Sequence, residues 1–145
     1  MSDPKWDNRF MDMAELVASW SKDPSTKVGA VLTTGRKILG LGYNGFPAGC
    51  RDDMEIYHDR PEKYRRVVHA EVNALLNGTR EGDMALYTTL CPCSQCAAMI
   101  INFGVKDVFS PIPSEKEKER WGESFLSAVE MFKEAKVRQW YLPNR

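Results

Sequence analysis

Two short motifs restrict the fold more than anything else in this chain: His69-Ala70-Glu71 and Pro92-Cys93-Ser94-Gln95-Cys96. Each stands at the start of a stretch of helical character, HAEVNALLNG and CSQCAAMIINFG. A fold that uses them together must therefore bring two helix starts to one point. Cys93 and Cys96 lie three residues apart, so both sulfurs can project from one face of a first turn. The positive end of the helix dipole helps keep both as thiolates. A buried histidine, a structural zinc knuckle or an unrelated C-x-x-C is the plainer reading of either piece alone. The two in this order and with these neighbours point to one shared ion.

The ligand count turns that geometry into chemistry. Structural zinc normally takes four protein ligands, whereas His69, Cys93 and Cys96 supply three and leave a position open for water or substrate. Zinc lowers the pKa of a bound water from about 15.7 to about 7. Glu71, a carboxylate beside the ligands and not one of them, is suited to serve in turn as base and acid. H-x-E followed by P-C-x-x-C is the pattern of the zinc deaminases, and every specified position is present.

Length and composition limit what can surround such a site. At 145 residues the chain reads as one domain, 1–145, large enough to bury a core without disulfides. No apolar run approaches the roughly 20 residues a membrane helix needs. The start, MSDPKWDNRF, lacks the basic and apolar blocks of a secretory signal, so a cytoplasmic, reducing location is expected, with Cys50 and Cys91 as free thiols. Twenty basic and twenty acidic residues give a formal net charge of zero, which argues against a polynucleotide partner and for a small molecule. The run RPEKYRR, with Arg60, Lys63, Arg65 and Arg66, fits a local basic patch and a solvated face equally well.

Apolar spacing orders the remaining elements. Trp6, Phe10, Met13, Val17 and Trp20 mark one face of a first helix, with Asp3-Pro4 as cap and first position and Asp23-Pro24 as its end. VGAVLTT and KILGLGY flank Thr34-Gly35-Arg36 as a strand hairpin. Residues 44–67 have no sustained period and form a stretch long enough to be a functional loop with a short helix. After the histidine helix come strand MALYTTL, the cysteine helix and strand VKDVFS, an alternation that predicts crossover connections and a mixed α/β sheet. Pro113-Ser114 and Glu117 form a capping box for a long helix that buries Trp121, Phe125, Val129 and Phe132. VRQWYL is the closing strand.

With the metal motif, the GYNGFPAG segment and this element order in view, the chain resembles the deoxycytidylate (dCMP) deaminases of the cytidine deaminase-like superfamily. The similar stretches are DPSTKVGAVL, LGYNGFPAGCRDD, VHAEVNALLN and TLCPCSQCAAMIINFGVKDV. The resemblance implies a three-layer α-β-α sandwich on a five-stranded mixed sheet. It implies His69, Cys93 and Cys96 as Zn2+ ligands, Glu71 as proton shuttle, and conversion of dCMP to dUMP and ammonia for thymidylate synthesis. It further implies a homohexamer activated by dCTP and inhibited by dTTP, with Mg2+ accompanying the triphosphate. Gly42, Tyr43, Asn44 and Gly45 match the segment linked to nucleotide recognition. Glycines there would let backbone amides approach a sugar or phosphate and adopt positive φ, and Asn44 offers both a donor and an acceptor, although Asn-Gly is also a common turn.

Some assignments stay open at this level. Asn73 is as well suited to hold the loop as to contact nucleotide, and Lys27, Arg51 and the run near Arg65 are candidates for phosphate. Residues 111–123 lack the aromatic-rich segment found at the end of the site in some members, leaving the group that covers the pyrimidine unassigned. Cys50 and His58 are too few to hold an accessory metal. Two competitors share the motif: a nucleic-acid-editing enzyme of the tRNA adenosine deaminase kind, and a nucleotide sensor without catalysis. Neutral charge and GYNG oppose the first, and an intact Glu71 opposes the second.

Overall fold

The computed structural model describes residues 3–143. Five strands form one sheet: β1 (Gly29–Thr34), β2 (Lys37–Tyr43), β3 (Met84–Thr88), β4 (Val105–Pro111) and β5 (Arg138–Leu142). Their spatial order is β2-β1-β3-β4-β5. The first two form a hairpin whose turn needs Gly35 at φ 56°, a conformation that costs glycine little. β1 also pairs antiparallel with β3, while β3–β4 and β4–β5 are parallel, so the mixed sheet expected from the alternating pattern is present. Each parallel pair is joined through a helix, as crossover connections require.

Strand alternation divides the core in two. Ala30, Leu32, Leu86 and Val108 face one side with Ala70, Ala74, Ala97, Ile100 and Phe132. Val31, Tyr87 and Phe109 face the other with Phe10, Met11 and Ala14. The first side is covered by α4 (Ala70–Asn77), α5 (Ser94–Phe103) and α6 (Glu115–Glu134), the second by α1 (Pro4–Ala18). Helices on both faces of one sheet make the three-layer α-β-α sandwich, with the α4 and α5 starts on the same side of it.

Several local details depart from the pattern read in the sequence. The buried face of α1 is Asp7, Phe10, Met11, Ala14, Val17 and Ala18; Trp20 lies past the helix end and is 52% exposed. The helix stops at Ala18, before Asp23-Pro24, although Asp3 caps it and Pro4 opens it as expected. Residues 44–67 hold two short helices, α2 (Met54–His58) and α3 (Arg60–Arg66), where one was expected. Asp53 and Asp59 accept from the backbone N–H of Ile56 and Glu62, the side-chain capping that starts each helix. In α6 the capping box of Ser114 and Glu117 is formed, and the helix breaks its regular geometry at Trp121 (φ −127°, ψ 17°).

Candidate functional site

His69 and Cys93 are both N-cap residues, of α4 and α5, and neither uses its side chain to cap. An N-cap side chain normally bonds back to the first turn; here both are turned to each other instead. His69 Nδ1 lies 3.2 Å from Cys96 Sγ and 3.5 Å from Cys93 Sγ, and the three ligand atoms lie within 4.8 Å of one another. Two ligands on one tetrahedral zinc ion, at ordinary Zn–S and Zn–N lengths, stand roughly 3.5 Å apart. The donor set of one imidazole and two sulfurs suits zinc. Among the described residues this is the one such cluster of histidine, cysteine or carboxylate groups.

Electrostatics prepare one of these atoms for a cation, not both sulfurs as the helix dipole alone would suggest. A hydrogen bond from Cys96, with His69 alongside, holds the Cys93 thiol down at about 4. The same Cys93 sulfur, together with burial, pushes Cys96 up, and the hydrogen bond to Cys93 raises His69. The raised Cys96 and His69 favour their protonated forms, so a divalent ion must displace protons from them to bind. The missing side-chain cap of α5 is replaced from a distant element: Ser94 N–H donates to Ser124 Oγ of α6 at 2.8 Å.

Glu71 sits in the first turn of α4 at 4% exposure. Burial raises its carboxyl from an ordinary 4.5 to about 7, so near neutrality it can both hold and release a proton. Glu71, His69 and Cys93 border a cavity of about 260 Å³.

The GYNG segment serves this site as scaffold. A Cβ on Gly42 would fall on the backbone nitrogen of Ala74 and 2.5 Å from Ala70 O, so glycine is needed for β2 to approach α4 closely. Neither Gly42 nor Gly45 adopts the positive φ expected from the sequence. Gly45 bridges to Val68, immediately before His69. Asn44 borders the cavity, but its side chain is spent: Oδ1 accepts from Val28 N–H, and Nδ2 donates to Thr26 O and Asp23. Asn73 Nδ2 donates to the Tyr43 carbonyl at 2.8 Å, the loop-holding member of its two possible roles. Lys27 is exposed, donates to the Ser21 carbonyl and does not border the cavity.

The basic run resolves residue by residue. Arg65 and Arg66 pair with Glu62, and Arg51 with Asp53 and Glu55. Lys63 is buried, 2.9 Å from an equally buried Asp23. Asp23 also accepts from the backbone N–H of Ser25 and Thr26. This network, with Asn44, forms one cavity wall from three separate segments, which no sequence period announces. Trp121 and Phe125 also border the cavity, with ring centroids 6.2 Å apart. They bring two aromatic rings to the cavity that the sequence did not single out for it; the only signal was their helical spacing, which reads equally as core.

With this geometry in place, comparison with known proteins is decisive. The family model of the cytidine and deoxycytidylate deaminase zinc-binding region matches residues 4–111. The chain belongs to this deaminase family. The deaminase is 44% identical to an uncharacterized deaminase in the luxG 3' region of Aliivibrio fischeri, over 96% of this chain and 95% of that one. It is 43% identical to the deoxycytidylate deaminase of Mus musculus over 72% of this chain, a match that spans 63% of the mouse protein. The dCMP deaminase of cyanophage S-TIM5, solved with dCMP and dUMP, shares the fold at a TM-score of 0.75, with 23% identity over 98% of this chain and all of that one.

Proposed function

We propose that this protein hydrolyses dCMP to dUMP and ammonia, supplying dUMP for thymidylate synthesis. The observation that carries the reading is a buried glutamic acid, poised near neutrality, beside a His/Cys/Cys cluster in a cavity. Similarity to deoxycytidylate deaminases at 42% and 43% identity over 72% of the chain supports the choice of substrate. His69, Cys93 and Cys96 would hold zinc, which when bound makes water acidic enough to react at neutral pH. Glu71 accepts a proton from the water that adds to C4 of cytosine and delivers it to N3. It then takes the proton of the new C4 hydroxyl and passes it to the departing amino group, so that the C4–N bond breaks, the C4 carbonyl forms, and dCMP plus water become dUMP plus ammonia. The cavity walls exclude bulk water and hold the ring against Glu71.

The same reading carries regulation: a cytoplasmic homohexamer activated by dCTP and inhibited by dTTP, with Mg2+ on the triphosphate. Its support is the family resemblance together with an exposed edge-to-face pair, Trp20 and Tyr43 at 6.3 Å, which gives the GYNG segment an aromatic surface through its own tyrosine. Ammonia release from dCMP, dCTP, deoxycytidine and a tRNA anticodon stem tests the assignment. Turnover of dCMP is expected. Turnover of the RNA alone would transfer the protein to the editing enzymes, and turnover of none would leave a nucleotide sensor. Sigmoidal dCMP kinetics that become hyperbolic with dCTP and Mg2+ are expected of the regulated oligomer; a monomer by light scattering, indifferent to both triphosphates, would remove that part.

A further inference from the structure

Three side chains bordering the cavity can carry positive charge: His69, Lys63 and Arg120. His69 is engaged with the two cysteines. Lys63 is neutralised by Asp23 at 2.9 Å, and both are buried. Arg120 is different. It is exposed, and among the described residues its partners are neutral: Nη2 donates to the Tyr64 hydroxyl at 2.7 Å, and the guanidinium lies 4.7 Å from the centre of the Trp121 ring. On a regular helix neighbouring residues point about 100° apart; the break in α6 falls at Trp121, and both Arg120 and Trp121 reach the cavity.

We propose that Arg120 recognises the 5′-phosphate of the nucleotide, releasing the Tyr64 hydroxyl to grip the phosphate oxygens. This rests on the deaminase reading of the site. A nucleoside monophosphate is largely dianionic near pH 7, since its second ionisation lies near 6. A phosphate oxygen accepts a charge-assisted bond roughly twice as strong as a neutral phenol does. The exchange therefore favours the ligand, and the planar guanidinium can hold two oxygens at once. Trp121 keeps the guanidinium from wandering, so less side-chain freedom is lost on binding. Lys27, Arg51 and Arg65, the cations that stood out in the sequence, are each tied to other groups away from the cavity.

The test compares dCMP with deoxycytidine in the zinc-loaded protein. Arg120→Ala is expected to lower the ratio of kcat/KM for dCMP over deoxycytidine by roughly 10- to 100-fold, the value of hydrogen bonds to a charged partner, chiefly through KM. Arg120→Lys, which keeps charge and loses the fork, should fall between. Tyr64→Phe removes the acceptor that Arg120 shares with Arg60 and should hold or raise the ratio. Calorimetry with dUMP and deoxyuridine provides a reading independent of turnover: Arg120→Ala should weaken dUMP and not the nucleoside. Equal losses for both substrates and both products, with zinc content and unfolding temperature intact, would make Arg120 a packing residue and overturn the proposal. A parent protein that deaminates neither compound but still loses dUMP affinity on Arg120→Ala would sink the deaminase reading and leave the phosphate site standing.

Discussion

Glu71→Gln separates what this residue does for catalysis from what it costs the fold. Glutamine keeps the shape and removes both the titration and the proton shuttle. Burial raises the Glu71 carboxyl from 4.5 to about 7 in the folded protein. Below about pH 4.5 the group is protonated in folded and unfolded chains alike, and the two proteins should be equally stable in this respect. As pH rises toward 7 the unfolded chain ionises first, so stability drains from the parent; above about 7 the loss levels off. At about 1.4 kcal/mol for each pH unit, the full loss is about 3 kcal/mol, a large part of the roughly 5–15 kcal/mol typical of a domain. Urea unfolding of metal-stripped protein from about pH 4.5 to 8.5, a range spanning both ionisations, should show the Glu71→Gln variant gaining stability over the parent as pH rises. With zinc loaded, the same variant should retain metal and lose turnover by about 10²- to 10⁴-fold. A stability difference that stays flat with pH, or a variant less stable throughout, would refute the account of a buried neutral acid.

Other perturbations probe the supports of the site. Cys93→Ala should lose zinc and activity together, read by elemental analysis and ammonia release. Lys63→Met leaves the buried Asp23 carboxylate without its cation and should cost about 3–5 kcal/mol in chemical unfolding; a cost below about 1 kcal/mol would mean that Asn44 and the backbone amides suffice. Gly42→Ala places a methyl group against the backbone of α4 and should cost about 1–3 kcal/mol, with reduced zinc content as His69 shifts. Ser124→Ala removes the acceptor at the start of α5 and should cost about 1 kcal/mol and weaken zinc affinity in a chelator competition.

The parts of the site legible in the sequence are those whose chemistry is local. His69, Glu71, Cys93 and Cys96 announce themselves because ligand type, spacing and a helix start coincide within a few residues, and the capping box at Ser114 is equally self-contained. What escaped depends on contacts between distant segments. Asp23 looks like a helix terminator until Lys63, far along the chain, is seen to lie against it. Asn44 and Gly42 look like ligand-contacting groups because Gly and Asn suit that role chemically, yet the structure uses one to tie a loop and the other to admit a helix. Trp20 fits the helical spacing of its predecessors, but the helix ends before reaching it. Arg120 is one charge among many in SEKEKER, and only the fold sets it at the cavity.

The His/Cys/Cys cluster and the buried Glu71 beside it all come from residues 69–96, two successive helix starts joined through β3. The surrounding rim is drawn mostly from elsewhere: the loop before β1, Asn44 after β2, the segment before α4 and the first half of α6. The cluster and most of its rim are therefore encoded in different stretches of chain. A lineage can reshape one side of the rim by rewriting residues 112–124 while the cluster beneath is inherited unchanged, and a protein engineer can graft that stretch between relatives with the same expectation. Ser124 limits the freedom, since it serves both halves: any replacement must keep a hydroxyl where the cysteine helix begins.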